Sequence, residues 1–205
     1  TRSLGLKDWK THIEKMAGGI RSRVLEHTIS NDGGYLSQAC SSAEILASLY
    51  GRILELGPVA APVVPEKFPG VPGPANSSYK NGSYFNGEKS PGYDRFILSP
   101  SQYSLVLYAA LIEAGRMDER GLEQFNRDGS IVEMIGAEHS PGMEIMSGSL
   151  GQGISQGFGI AMARKLKGEK GRVVLFMSDG EFQIGQTWEA LQAAAFHKLN
   201  NILIY

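Results

Sequence analysis

The chain has 205 residues, 42% of them hydrophobic, which suits the core of one α/β domain and is short for two domains. Its 20 Lys and Arg residues nearly balance 21 Asp and Glu residues, so no net field favours a nucleic acid or an anionic membrane as partner. The single cysteine, Cys40, excludes an intrachain disulfide framework, and no apolar run approaches the roughly 20 residues of a membrane span, so we expect a cytoplasmic protein.

The first 92 residues predict two helices and a long loop. Apolar residues at spacings of three and four predict an amphipathic helix over 6–29. Gly33 and Gly34 mark a turn, and Ser41 with Glu44 predicts a capping box that begins a second helix to about residue 55. The segment 57–92, which is rich in proline, predicts an irregular loop, either functional or a surface excursion without a catalytic role.

The rest of the chain alternates strands with helices. A short strand ends at Ser99 in "DRFILS", and the helix "SLVLYAALIEAG" and the short helix "GLEQFNR" follow it. After a stretch that is mostly loop, an apolar helix ends near Gly168, a buried strand leads to Asp179, and a helix over about 186–198 precedes the strand start "NNILIY". This order predicts one α/β domain over 1–205, with a parallel sheet covered by helices on both faces.

Two features meet at the predicted carboxyl edge of this sheet, where α/β proteins bind ligands. Asp179 directly follows the apolar run 173–177, and glycines open the helix that precedes this strand, at Gly148, Gly151 and Gly153. Free N–H groups at a helix start favour an anion, and a carboxylate is a ligand for a hard cation. A diphosphate at the glycine-rich helix start, bridged to Asp179 by Mg²⁺, would account for both features.

Each of these features also has a purely structural interpretation. Glycines before a helix often permit close packing of that helix on a strand, and an Asp after a strand is often a helix N-cap. Other phosphate-binding motifs fit less well. No "GK[ST]" follows the glycines, which disfavours a P-loop. The glycine run follows a loop, and no acidic residue closes a βαβ unit after it, which disfavours a dinucleotide site.

Two long stretches resemble a known family. "SGSLGQGISQGFGIAMARKL" followed by "VVLFMSDGEFQIGQTWEALQAAAFHKLNNILIY" is similar to the thiamine-diphosphate domain of transketolases, in the split form where this domain is a separate N-terminal subunit. The resemblance covers most of the chain except the Pro-rich loop. It implies the thiamine-diphosphate-binding fold and a transferase that moves a two-carbon ketol unit from a ketose (phosphate) to an aldose (phosphate). The cofactor would supply the chemistry, and the protein would place it.

The resemblance also implies which residues bind the cofactor. The family's Gly-Asp-Gly motif corresponds to "SDG" here, so Asp179 is the implied ligand of Mg²⁺ (or Ca²⁺) and Gly180 the implied diphosphate contact. Gly148 and Leu150 match backbone positions that contact the cofactor. The full predicted cofactor-binding set is Gly148, Leu150, Gly151, Asp179, Gly180 and Glu181.

The chain departs from the family where substrate-side histidines are expected. Gln102 stands in "PSQ" where the family has "KGH", and Tyr35 stands where the family has the histidine of "GHPGGS". His139 lies near the family's "GHP" loop without matching its register. We predict these three residues as catalytic positions with altered proton handling or sugar specificity, because Gln and Tyr cannot carry a proton near neutral pH as imidazole does. The alternative is a cofactor-binding or scaffold paralogue with lost or altered catalysis.

Two family features have no counterpart in the sequence. The family's second metal ligand is an asparagine after the strand that begins "NNILIY"; the sequence stops at Tyr205, so we expect the C-terminal end of the domain to be missing from it. The pyrimidine-binding domain, with the glutamate that activates the cofactor, also has no room here. The resemblance therefore implies that the partner is a C-terminal transketolase subunit, in an α₂β₂ assembly. The α-subunit of a 2-oxo-acid dehydrogenase is disfavoured, because "GSLGQG" and "LQAAAFHKLNN" resemble transketolase.

Overall fold

A computed structural model describes residues 8–205, so the first two residues of the predicted helix over 6–29 lie outside the described residues. The α-helices of this described range are α1 (Trp9–Asn31), α2 (Leu36–Ser48), α3 (Ser104–Glu113), α4 (Gln152–Leu166) and α5 (Gly185–Phe196). The strands are β1 (Arg95–Leu98), β2 (Val173–Phe176) and β3 (Ile202–Ile204). Shorter turns are π-helical at Leu49–Ile53 and 3₁₀-helical at Gly82–Asn86, Ser101–Tyr103, Glu119–Gln124 and Asp179–Gln183.

The strands form a parallel sheet in the order β1-β2-β3. Alternate side chains of β1 and β2 point to opposite faces, as the twofold period of a strand requires. One face packs against α1, α2 and α3, and the other packs against α4 and α5. Helices therefore cover both faces, and the predicted α/β fold is confirmed.

The predicted capping box at Ser41 is wrong. Helix α2 begins at Leu36, more than one turn earlier, and Ser41 lies inside it, where its hydroxyl donates to the carbonyl of Gln38 (3.2 Å). Glu44 forms an ion pair with Arg21 of α1 instead of capping the helix. The apolar spacing explains the earlier start, because the buried face of α2 that packs on α1 already begins at Ala39.

The segment 57–92 contains no α-helix, and its one longer regular element is the 3₁₀ turn Gly82–Asn86. The segment is nevertheless packed against the rest of the chain. Backbone bridges join Val63 to Met117 and Lys67 to Ser130, and a Cβ atom on Gly82 would lie 1.8 Å from the carbonyl oxygen of Ser140. The predicted short helix "GLEQFNR" corresponds in part to the 3₁₀ turn Glu119–Gln124, which ends before its last three residues. Within residues 8–205 no helix is both long and apolar enough to cross a membrane.

Candidate cofactor site

The carboxyl ends of β1 and β2 meet with the start of α4 at one edge of the sheet. The two strands are in register, with Leu98 opposite Phe176, so the turns that follow them, Ser101–Tyr103 and Asp179–Gln183, lie side by side. Helix α4 approaches β1 closely here, because a Cβ atom on Gly153 would lie 2.3 Å from Ser99 Oγ. The role of Gly153 is therefore the close helix–strand packing that the structural interpretation predicted.

Glu181 ties these three segments together. Its side chain is fully buried, and its carboxylate accepts hydrogen bonds from the Ser99 hydroxyl, from the Gly151 N–H (3.0 Å) and from the Ser178 N–H (2.8 Å). The backbone carbonyl of Glu181 also accepts from the Thr187 hydroxyl (2.6 Å), which anchors the first turn of α5. Because protein donors already engage its carboxylate, the structure gives Glu181 a positioning role at the edge.

Asp179 differs from Glu181, although only Gly180 separates them. It is the first residue of its 3₁₀ turn and is exposed, and within the described part of the chain its carboxylate has no hydrogen-bond or ion-pair partner. The negative charge of Asp179 also acts on the neighbouring turn. The pKa of Tyr103 is raised mainly by burial and, to a smaller extent, by the charges of Asp179 and Glu181. The carboxylate of Asp179 is therefore available to a cation.

No group of three or more His, Cys, Asp and Glu residues within 8–205 could hold a metal ion. A cation at Asp179 would take its remaining oxygen ligands from a bound anion, from water or from residues beyond this chain. Mg²⁺ binds in this manner in phosphate sites, where one or two carboxylates and substrate phosphate oxygens share it.

Two glycines at the edge have backbone conformations that favour glycine. Gly148 has φ of 118° and Gly151 has φ of 79°, and a Cβ atom on either would meet a side chain, at 2.6 Å from Ser101 Oγ and at 2.8 Å from Ile184 Cγ2 respectively. Their backbone N–H groups differ in availability to a ligand, because the Gly151 N–H already donates a hydrogen bond to Glu181. Gly148 and the exposed Leu150 remain the predicted backbone contacts of an anion.

Ser101 is a residue of this edge that no sequence pattern indicated. Its side chain is completely buried beside Gly148, and its hydroxyl has no hydrogen-bond partner among the described residues. A buried hydroxyl without a partner is unfavourable by about 1–3 kcal/mol, so an unpaired donor here fits a site that receives an anionic ligand. The available signal was its place in "PSQ", directly before Gln102.

The structure brings Gln102 and Tyr35 to neighbouring turns. Gln102 is half-buried in the turn that follows β1. Tyr35 precedes α2 in a left-handed conformation (φ 50°) that is uncommon for a bulky residue. Its side chain is 43% exposed. The preceding Gly34 lies against Leu105 at the start of α3, since a Cβ atom there would be 2.7 Å from Leu105 Cδ2.

His139 lies beneath the Pro-rich loop. Its ring packs on Phe68, with centroids 4.5 Å apart, and its Nε2 is 3.3 Å from Glu133 Oε2. The segment that carries His139, by contrast, approaches the edge at Gly136, whose N–H donates to the carbonyl oxygen of Ser101 (3.0 Å). The segment that carries His139 therefore reaches the candidate site, while the contacts of the imidazole itself are to Phe68 and Glu133.

Fold and site together define an α/β protein whose candidate ligand site lies at the carboxyl edge of a parallel sheet. The chain belongs to the transketolase family, since residues 79–205 match the family profile described as "Transketolase, thiamine diphosphate binding domain". The resemblance stated from the sequence is thereby confirmed.

Relatives extend the similarity to the N-terminal residues. The chain is 46% identical over 192 residues to a transketolase family protein of Sinorhizobium fredii, covering 93% of this chain and 59% of that protein. It is 30% identical over 194 residues to an apulose-4-phosphate transketolase subunit from Actinobacillus succinogenes, covering 94% of this chain and 60% of that protein. The chain thus spans 59% and 60% of the length of these two relatives.

A solved transketolase from Campylobacter jejuni has the same fold. It superposes with a TM-score of 0.73 at 22% sequence identity, covering 95% of this chain and 28% of that one.

Proposed function

We propose that this chain is the N-terminal, diphosphate-binding subunit of a thiamine-diphosphate-dependent transketolase. The observation that carries the proposal is Asp179, which is exposed, has no partner among residues 8–205 and lies beside the glycine-rich start of α4, in a chain that belongs to this family. The complete enzyme would transfer a two-carbon ketol unit from a ketose (phosphate) to an aldose (phosphate).

In this proposal the chain's own residues bind and orient the cofactor. Asp179 binds Mg²⁺ (or Ca²⁺), and the backbone of Gly180, Gly148 and Leu150 contacts the diphosphate. Bound thiamine diphosphate supplies the chemistry that carries the two-carbon unit. Glu181 positions the backbone of the site. Its carboxylate accepts hydrogen bonds from the N–H groups of Gly151 and Ser178, which flank the residues that contact the diphosphate. Gln102 and Tyr35 serve as hydrogen-bonding groups on the substrate side.

The partner would be a C-terminal transketolase subunit that carries the pyrimidine domain, in an α₂β₂ complex. Apolar side chains beside Asp179 support a partner at this edge: Leu150, Phe182 and Ile184 are exposed, and Trp188 is 54% exposed. The Trp188 N–H donates to the carbonyl of Phe182 (2.8 Å), which holds the two rings in an edge-to-face arrangement. Exposed Trp and Phe side chains next to a site are typical of the anchors of a protein interface.

Calorimetric titration of thiamine diphosphate with Mg²⁺ tests the proposal, first on this chain alone and then on its mixture with the C-terminal subunit. We expect binding in the mixture and none or weak binding to the chain alone, because the exposed edge provides only half of a cofactor site. A mixture that binds the cofactor and forms ketol-transfer products supports the enzyme. Absence of binding in both titrations contradicts the proposal, and binding without product formation favours the scaffold alternative.

Substitution of Gln102 tests whether this position faces the substrate. We expect Gln102→His to change kcat by about tenfold or more, or to change the preferred donor, because an imidazole can transfer protons that an amide cannot. Steady-state kinetics of the reconstituted complex with several ketose phosphates measures both effects. Gln192→His, at an exposed position of α5, is the matched control. Unchanged kcat and donor preference would remove Gln102 from the site.

A further inference from the structure

A cavity lies at the edge of the sheet opposite to Asp179. It has a volume of about 750 Å³, and the residues that line it include Tyr50, Arg52, Tyr93 and Arg116. Ser90 to Tyr93 precede β1, whereas the turn with Gln102 follows β1, so the strand separates the two sites. Small-molecule sites commonly have volumes of about 300–1,000 Å³, so this cavity is large enough for a metabolite.

Two arginines of this cavity have no carboxylate partner among the residues that the structure describes. Arg116 donates through Nη1 to the carbonyl oxygens of Gly57 (3.2 Å) and Phe85 (3.5 Å), and burial lowers the pKa of its guanidinium. Arg52 is exposed, and neither arginine forms an ion pair within the described range 8–205. Carbonyl acceptors orient a guanidinium without neutralising it, so the positive charge of Arg116 remains uncompensated there.

The acidic groups near this cavity are associated with a different arginine. Asp94 is buried and accepts hydrogen bonds from the Arg172 N–H (2.8 Å), Nε (3.1 Å) and Nη2 (2.5 Å). Glu55, an acidic residue that lines the cavity, also interacts electrostatically with Arg172 and helps to raise its pKa. Three arginines, Arg52, Arg116 and Arg172, therefore stand against the two carboxylates Asp94 and Glu55, which leaves one positive charge in excess.

The cavity also has an ordered wall. The π-helical turn Leu49–Ile53 continues α2 and carries Tyr50 and Arg52. Tyr50 is buried, donates to Asn86 Oδ1 (3.1 Å) and packs edge-to-face on Phe96, with centroids 5.4 Å apart. Because π-helical turns often occur at functional sites, the local structure agrees with the charge pattern.

We propose that this cavity binds a phosphorylated small molecule, with Arg52 and Arg116 as the donors to its phosphate group. Arginine suits this role because its planar guanidinium donates pairs of hydrogen bonds to phosphate oxygens and stays charged when desolvated. The proposal goes beyond the proposed function, since none of its residues belongs to the candidate cofactor site.

Two-dimensional ¹H–¹⁵N NMR of the full chain, titrated with inorganic phosphate, tests this proposal, because it separates the two edges of the sheet. We expect saturable shifts of the amides of Arg52, Gly92 and Tyr93. A parallel titration with citrate distinguishes phosphate from carboxylate recognition. Shifts confined to Gly148 and its neighbours would show phosphate at the cofactor edge only and would overturn the proposal. Equal shifts with citrate would overturn its phosphate specificity.

Variants make the assignment specific. We expect Arg52→Ala to weaken phosphate binding by about tenfold or more, as the loss of a hydrogen bond to a charged group would do. Arg116→Lys, which keeps the charge but loses the paired donors, should also weaken it. Arg127→Ala removes another exposed arginine, which lines a separate pocket with residues of α1 and of the 3₁₀ turn Glu119–Gln124. This control should leave phosphate binding unchanged. Unchanged affinity in Arg52→Ala and Arg116→Lys contradicts the proposal.

Discussion

Asp179→Ala is expected to weaken Mg²⁺-dependent binding of thiamine diphosphate by more than about 100-fold. The reason is that Asp179 is the exposed carboxylate at the cofactor edge, whereas the carboxylate of Glu181 is buried and already engaged by protein donors. The measurement is calorimetric titration of the cofactor with Mg²⁺ into the complex with the C-terminal subunit, for the parent chain and the variant.

The same substitution should leave the fold intact. Asp179 has no partner in the described part of the chain, so the free energy of unfolding should change by no more than about 0.5 kcal/mol. Asp128→Ala, at an exposed loop position, is the matched control for removal of a carboxylate. Retained cofactor affinity in Asp179→Ala would falsify the metal assignment.

Glu181→Ala is expected to destabilise the chain by about 3 kcal/mol or more, because it leaves several buried donors without an acceptor. These donors are the Ser99 hydroxyl and the N–H groups of Gly151 and Ser178. Denaturant unfolding followed by circular dichroism measures the change. Glu181→Gln should have a smaller effect, because its amide oxygen can still accept from some of them.

Glu189→Ala is the matched control for this substitution, since Glu189 is exposed on α5. It should change the free energy of unfolding by no more than about 0.5 kcal/mol. A loss of less than about 1 kcal/mol in Glu181→Ala would contradict the positioning role, because even one unpaired buried donor has a larger effect.

Local patterns predicted the elements of the sheet and its covering helices. The apolar run before Asp179 is long enough to be read as a buried strand, and the helices around it have clear apolar faces. The start of α2 was predicted wrongly, because Ser41 and Glu44 match a capping motif whose formation depends on where the helix packs. That packing involves α1, and no local pattern contains it.

The site was predictable only in part. The sequence places Asp179 after a strand and the glycines before a helix, and parallel topology brings them to one edge. It does not show that Glu181 faces inward while Asp179 faces solvent, because both follow the same strand within a few residues. Ser101 was missed for a related reason, since the burial of its hydroxyl depends on Gly148, which is distant in sequence.

The hydrogen bond from Ser99 to Glu181 has a consequence for the order of folding. It joins residues 82 positions apart, so the chain between them must be closed before the bond can form. Contacts of such long sequence separation slow folding and are gained late. Helices α1 and α2, by contrast, are neighbours in sequence and can pair early. We therefore expect a newly synthesised chain to pair α1 with α2 first and to form its cofactor edge last.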